Sequence, residues 1–270
     1  MNYIELIGPP GVGKTTLLNT LADARKKEET WSTYKEATYD IIDSLVWGQL
    51  NSPKSKLLYL LNKVNFTDIK RLGISNTIIN ELLPQIAEAI QKKYEYLVEA
   101  QLQAIQTLSL AISPINKCSF LSWHIQALQK LFVLETFGYT NTVLFSEGPL
   151  KNHHGLNQIQ HHNITPNTLP NAVIYCTLGI ADNIKRIKNR LARTGSISTI
   201  HNSLNDGQLE ELVTYTHEIA KSNFGIIKML GIPVYEVDLT DHITASDLDK
   251  LQQFVGSNAA FKPHYLLQYV

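Results

Sequence analysis

An eight-residue stretch near the start of the chain restricts the possible folds more than any other feature. Gly8-Pro9-Pro10-Gly11-Val12-Gly13-Lys14-Thr15 satisfies G-x-x-x-x-G-K-[ST] in full. Its glycines allow a tight turn that aims backbone N–H groups at one point, and a following helix adds its positive end there. The loop needs a strand before it and a helix after it. Both are predicted: an apolar strand over Tyr3–Ile7, and a helix from Lys14 to about Arg25 with Leu17, Leu18 and Leu21 on one side. The ligand expected of such a loop is ATP with Mg2+. Lys14 would bridge the β- and γ-phosphates, and Thr15 would give its hydroxyl to magnesium. Gly8, Pro9, Pro10, Gly11, Val12, Gly13 and Thr16 complete the nucleotide-binding set.

Strands and helices alternate along the rest of the chain. A second extended stretch covers 31–36. Residues 38–137 read as mostly helical, with apolar spacing at Leu57, Leu58, Leu60, Leu61 and Val64, at Ile78, Ile79, Leu82, Leu83 and Ile86, and at Leu128, Leu131 and Phe132. Pro53, Pro84 and Pro114 punctuate this segment. A short strand at 142–146 stops at Glu147-Gly148-Pro149. Ala172–Thr177 is almost continuously apolar, as a strand covered on both faces should be. A basic helix at 182–192, a long helix at 206–230 closed by Gly231, a strand at 234–237 and a helix at 246–254 follow. This alternation predicts an α/β fold. The expected form is a P-loop NTPase three-layer sandwich of about five parallel strands, one domain over 1–270, with a helical insertion at 38–137 between strands 2 and 3.

Three further sites carry chemistry. A strand ending in Glu147 would set a carboxylate at the carboxyl edge of the sheet, where it could hold a metal-bound water; the alternative is a turn-capping residue. Arg186, Arg190 and Arg193 fall at i, i+4 and i+7 and share a helical face. Planar guanidiniums suit a spread phosphoryl charge, so residues 182–205 are expected to form a lid, against the alternative of a solvated basic face. Glu36 could take a proton from an acceptor hydroxyl, or could be spent in a salt bridge. The pairs His153/His154 and His161/His162 lack an accompanying cysteine and are not expected to hold a metal, although His153 or His154 is a candidate acceptor contact. Trp123 and His124 are expected in the core, and Glu5 in a buried polar contact.

Lysine plus arginine equals aspartate plus glutamate at 24 each, so the chain carries no general basic footprint for nucleic acid. Cys118 and Cys176 fit no metal or disulfide spacing and read as two buried thiols in a reducing cytoplasm. No basic n-region precedes the first strand, and the longest uncharged run, 100–116, is too polar to span a bilayer. Neither a signal peptide nor a membrane segment is expected.

Taken in order, the loop, Lys35-Glu36, Phe145-Ser146-Glu147-Gly148-Pro149 and the basic run from Arg186 to Arg193 resemble the P-loop small-molecule kinases, a group that includes thymidylate kinase-like and deoxynucleoside kinase-like enzymes. The resemblance covers the layout of about residues 1–240. It implies phosphoryl transfer from ATP to a nucleoside or nucleoside monophosphate, with Lys14, Glu36, Arg186, Arg190 and Arg193 as catalytic groups and Thr15 and Glu147 on the metal. It departs at Glu147, which glycine follows where many nucleoside kinases have arginine, and in the length of the insertion. A sugar, an antibiotic or another hydroxyl compound stays open as acceptor, as does an ATPase or nucleotide-binding regulator acting on a macromolecule. A GTPase is disfavoured, because no D-x-x-G follows the third strand and Asn62-Lys63-Val64-Asn65 is not a guanine reader. Trp47, Tyr59, Tyr94, Tyr96 and Trp123 could sandwich a base or sugar, or serve the core. The insertion is also a candidate homodimer surface.

Overall fold

The computed structural model of the protein describes residues 1–26, 28–44, 56, 88–108, 114–151, 153–159, 164–165, 167–194, 204–241 and 243–259. The helical spacing predicted at 57–64 and 78–86, Trp47, Tyr59, His161, His162 and the part of the predicted lid at 195–203 lie outside these residues.

Five parallel strands, β1 (Tyr3–Ile7), β2 (Trp31–Thr33), β3 (Thr142–Phe145), β4 (Ala172–Thr177) and β5 (Val234–Asp238), form one sheet in the order β2-β3-β1-β4-β5. The described helices are α1 (Lys14–Asp23), α2 (Tyr34–Ser44), α3 (Glu88–Lys93), α4 (Glu95–Gln106), α5 (Pro114–Thr136), α6 (Ile180–Thr194), α7 (Asp206–Met229) and α8 (Ala245–Ala259). α2 to α5 lie between β2 and β3, as the predicted insertion requires.

β1 is buried at all five positions because successive side chains point to opposite faces and both faces are covered. Tyr3 and Ile7 join Val143, Phe145, Val173 and Tyr175 in a core shared with α2, α4, α5 and α7. Ile4 and Leu6 join Leu144, Ile174 and Cys176 in a second core shared with α1 and α8. Helices therefore cover both faces, an arrangement compatible with a three-layer sandwich. β1, at the centre of the sheet, pairs in register with β3 (Glu5 beside Phe145) and β4 (Glu5 beside Val173). The turns leaving β1, β3 and β4 consequently meet at one carboxyl edge, where open α/β sheets bind ligands.

Two local expectations change. The second strand ends at Thr33, and residues 34–36 open α2. Thr33-Tyr34-Lys35-Glu36 is a capping box: the Glu36 N–H donates to Thr33 Oγ1 at 3.3 Å, and the Thr33 N–H donates to Glu36 Oε2 at 2.8 Å. Of the two cysteines, Cys176 is buried but Cys118 is exposed. Gly231 follows α7 with φ 72°, the left-handed residue predicted to end that helix. Among the described residues, no helix is long and apolar enough to cross a membrane.

Candidate functional site

The loop between β1 and α1 is built on three glycines with positive φ: Gly8 at 138°, Gly11 at 86° and Gly13 at 113°. Gly8 is pinned most tightly, because a Cβ there would collide with the Cys176 carbonyl on β4. Side chains are disfavoured at that φ in any case. Lys14, the first residue of α1, is buried and folds back over the loop. Its ammonium donates to the Gly8 carbonyl at 2.6 Å and the Pro9 carbonyl at 2.7 Å. Burial, helped by the Lys151 charge, pulls Lys14 well below the usual lysine range, with the Glu147 and Glu5 carboxylates opposing. An anion entering the loop would restore the favoured charge.

A cleft of about 750 Å3 opens over this loop. Six cationic side chains line it, namely Lys14, Lys130, Lys151, Arg186, Arg190 and Arg193, with Glu147 as the one carboxylate among the described lining residues. A chain with no net charge thus concentrates positive charge in one concave site, which attracts anions by local focusing. Thr15 and Thr16 are exposed on its floor.

Glu147 follows β3 and lines the cleft, where its carboxylate pairs with the ammonium of Lys151, four residues on in the same turn. Burial works against its charge, but Lys151, Lys130 and Lys14 outweigh that and hold the carboxyl below its usual range. The Thr15 hydroxyl and the ionised Glu147 carboxylate are hard oxygen donors. Magnesium takes such ligands one or two at a time and draws the rest from water and phosphate, so these two residues fit the ion.

The predicted arginine face is present: Arg186, Arg190 and Arg193 all look into the cleft from α6. Arg186 is spent differently from the other two. It donates to the Val12 carbonyl at 2.9 Å and the Leu239 carbonyl at 2.6 Å, bracing the loop against the turn after β5. Among the described residues the Arg190 guanidinium has no protein partner, and Arg193 makes a single contact of 3.4 Å to the Asn189 carbonyl. Asn183, buried on α6, donates to His217 at 3.0 Å, and its Oδ1 packs so close to Gly11 that a Cβ there would approach within 2.8 Å.

Glu36 is a correction. It does not end the second strand or line the cleft. Its carboxylate accepts from Arg25 at 2.8 and 3.0 Å and from Thr33, which ties the start of α2 to the end of α1. Burial opposes ionisation, but the Arg25 guanidinium and the Thr33 N–H hold its carboxyl below the usual range. Both oxygens are occupied, so the role of proton acceptor does not suit it.

His124, His153 and His154 are structural. His153 Nδ1 accepts from the Gly155 N–H at 3.2 Å, so Nε2 carries the proton and donates to the Leu97 carbonyl at 2.9 Å. His124 packs edge-on against it at 5.0 Å, and His154 contacts Tyr215 at 2.9 Å. Burial pushes His124 and His154 down to about 4. His153 and His124 are fully buried and belong to the fold, as predicted for His124; neither histidine of the 153/154 pair lines the cleft. Tyr94 is likewise core, and Trp123 is half-buried: one side packs on the cluster of Ile105, Phe120 and Leu212, edge-on to Phe120 at 5.7 Å, as its core expectation requires, and the other lines the cleft.

Sequence reasoning overlooked Lys130 and Lys151 and gave no function to Glu5. Glu5 lies fully buried in β1 beneath the cleft and accepts from the Lys151 N–H at 2.6 Å and the Leu150 N–H at 3.2 Å. Burial pushes its carboxyl up to about 7. It anchors the turn that carries Glu147 and Lys151, and Gly148 leaves the space it needs, since a Cβ there would press on its carboxyl group. An acidic residue inside an apolar strand was the available signal. No protein-family model matches this chain, and no curated protein matches it.

Proposed function

We propose that this chain is a phosphotransferase that binds ATP with Mg2+ on the loop 8–15 and passes the γ-phosphoryl group to a small-molecule acceptor, a nucleoside or nucleoside monophosphate. The observation that carries the reading is the convergence in one cleft of a three-glycine loop, Lys14, Glu147 and the α6 arginines. At about 750 Å3 the cleft has the size of a small-molecule site rather than a bare phosphate pocket.

In phosphoryl transfer the protein mainly positions groups and stabilises spreading charge. The loop N–H groups and Lys14 would hold the phosphates, and Arg190 and Arg193 would face the transferring group. Arg186 would keep the loop in shape. Magnesium, held through Thr15 and water on Glu147, would neutralise charge on the β- and γ-oxygens.

Thermal and chemical unfolding with MgATP test the first half of this reading. At ~100 times the dissociation constant, ligand should add ~2.7 kcal/mol of stability, and Lys14→Ala should remove most of that gain. An unchanged unfolding midpoint in millimolar MgATP would refute nucleotide binding. ADP release in the presence of nucleosides, nucleotides and sugars tests the second half. Release that responds only to a macromolecule would replace the kinase by an ATPase.

A further inference from the structure

The cleft has two walls that differ in origin and in chemistry. On the β4 side stands α6 with Arg190 and Arg193, and on the β3 side stand α5 and the turn after β3; the loop strand β1 runs between them. The α5 wall presents Trp123, Ala127 and Lys130 at i, i+4 and i+7, one face of one helix. Lys130 is half-buried, its ammonium 5.4 Å from the centre of the Tyr34 ring. Among the described residues it makes no hydrogen bond and no ion pair. Glu147, the carboxylate nearest to hand, is already held by Lys151. A partly desolvated ammonium without a hydrogen-bonded counter-charge is costly, and a bound anion relieves that cost.

Among the described residues, the same wall lacks something a hydroxyl acceptor would need. Attack by a hydroxyl releases a proton, and the one described lining carboxylate is in an ion pair while Glu36 lies elsewhere in a cap. A phosphate ester, with its second pKa near ~6, presents an oxygen that is already ionised at neutral pH.

We infer that the α5 wall is the acceptor subsite and that the acceptor bears a phosphate group, held by Lys130, with a planar base against Trp123. This rests on the kinase reading above and selects the monophosphate over the nucleoside. In the step so implied, an oxygen of the acceptor phosphate forms a bond to the γ-phosphorus. The bond from that phosphorus to the β,γ-bridging oxygen breaks, its electron pair leaves on ADP, and the acceptor becomes a diphosphate. No proton has to be removed.

The test compares the monophosphates of adenosine, guanosine, cytidine, uridine and thymidine with their parent nucleosides. Each is titrated by calorimetry into the full chain loaded with magnesium and the β,γ-imido analogue of ATP. At least one monophosphate should bind ~10-fold or more tighter than its nucleoside, and Lys130→Met should weaken it ~10–100-fold, the range of a charge-assisted hydrogen bond. Lys130→Arg should restore most of the loss, and the affinity for the ATP analogue should hold within about twofold in both variants. The subsite is overturned if nucleoside and monophosphate bind alike, if neither binds, or if Lys130→Met binds the ATP analogue and keeps its monophosphate affinity; the nucleotide-binding reading survives all three. Failure of the unmutated protein to bind the ATP analogue overturns that reading and the subsite together.

Discussion

Glu5 offers the sharpest test of how the site is supported. The perturbation is Glu5→Gln, which keeps the size of the side chain and removes its titration. Burial in the central strand pushes the carboxyl from its ordinary 4.5 to about 7. Between those values the folded protein holds a proton that the unfolded chain has released. The stabilising contribution of this site is thus fully present below pH 4.5, and it is lost as pH rises to about 7. At 1.36 kcal/mol per unit, the loss amounts to ~3 kcal/mol across the window. The glutamine amide does not titrate, so the stability of the variant relative to the unmutated protein should rise by ~3 kcal/mol between about pH 4.5 and about pH 7.5. At the acid end the variant should be the less stable of the two, because an amide cannot accept from both the Leu150 and Lys151 N–H groups as well as a carboxyl does. Urea unfolding of both proteins at half-unit steps from about pH 4.5 to about pH 8 measures this, and contributions common to both proteins, including the histidines, cancel in the difference. A difference that stays constant to within ~0.5 kcal/mol over that range would show that Glu5 does not titrate there, and the reasoning from its burial would fail.

Arg190→Ala should lower kcat by ~10³ or more while leaving MgATP affinity nearly unchanged, if the guanidinium acts on the transferring group. Single-turnover kinetics with equilibrium binding decides, and equal losses in both would make it a binding residue. Glu36→Ala should destabilise the fold by ~1 kcal/mol through the lost cap, the half-exposed pair with Arg25 adding little. Its phosphoryl transfer at saturating acceptor should stay within about threefold of the unmutated rate, whereas loss of a general base costs ~10²–10⁴. The buried neutral histidines carry depressed pKa values, so the unfolded chain takes up protons first as pH falls below 6.5. Stability should then drop towards pH 4 with up to ~1.4 kcal/mol per unit from each. His124→Asn, which keeps a donor for the Pro149 carbonyl, should flatten that slope by about one proton in urea titrations.

The parts of this protein that were legible in its sequence are those whose constraint is local. The loop could be read because glycine spacing, a lysine and a threonine all act within eight residues, and β1 and β4 because a strand covered on both faces must be apolar throughout. The arginine face of α6 followed from helical spacing alone. Glu36 was misread although the signal was equally local: T-x-x-E at 33–36 marks a helix start, yet the β-prone Trp31, Thr33 and Tyr34 suggested that the strand ran on. Lys130 and Lys151 were illegible for another reason. Their meaning comes from a parallel sheet that sets β3 beside β1, bringing residues more than a hundred positions apart to one edge. Glu5 combines both cases. The letter stands out in an apolar strand, but its work is done on Leu150 and Lys151, about 145 residues away, and needs a glycine at 148 to fit. The Lys151 side of the cleft therefore depends on a buried acid in the strand that feeds the loop. In this way β1 shapes both halves of the site: its end forms the glycine loop, and its middle residue holds the turn that faces that loop.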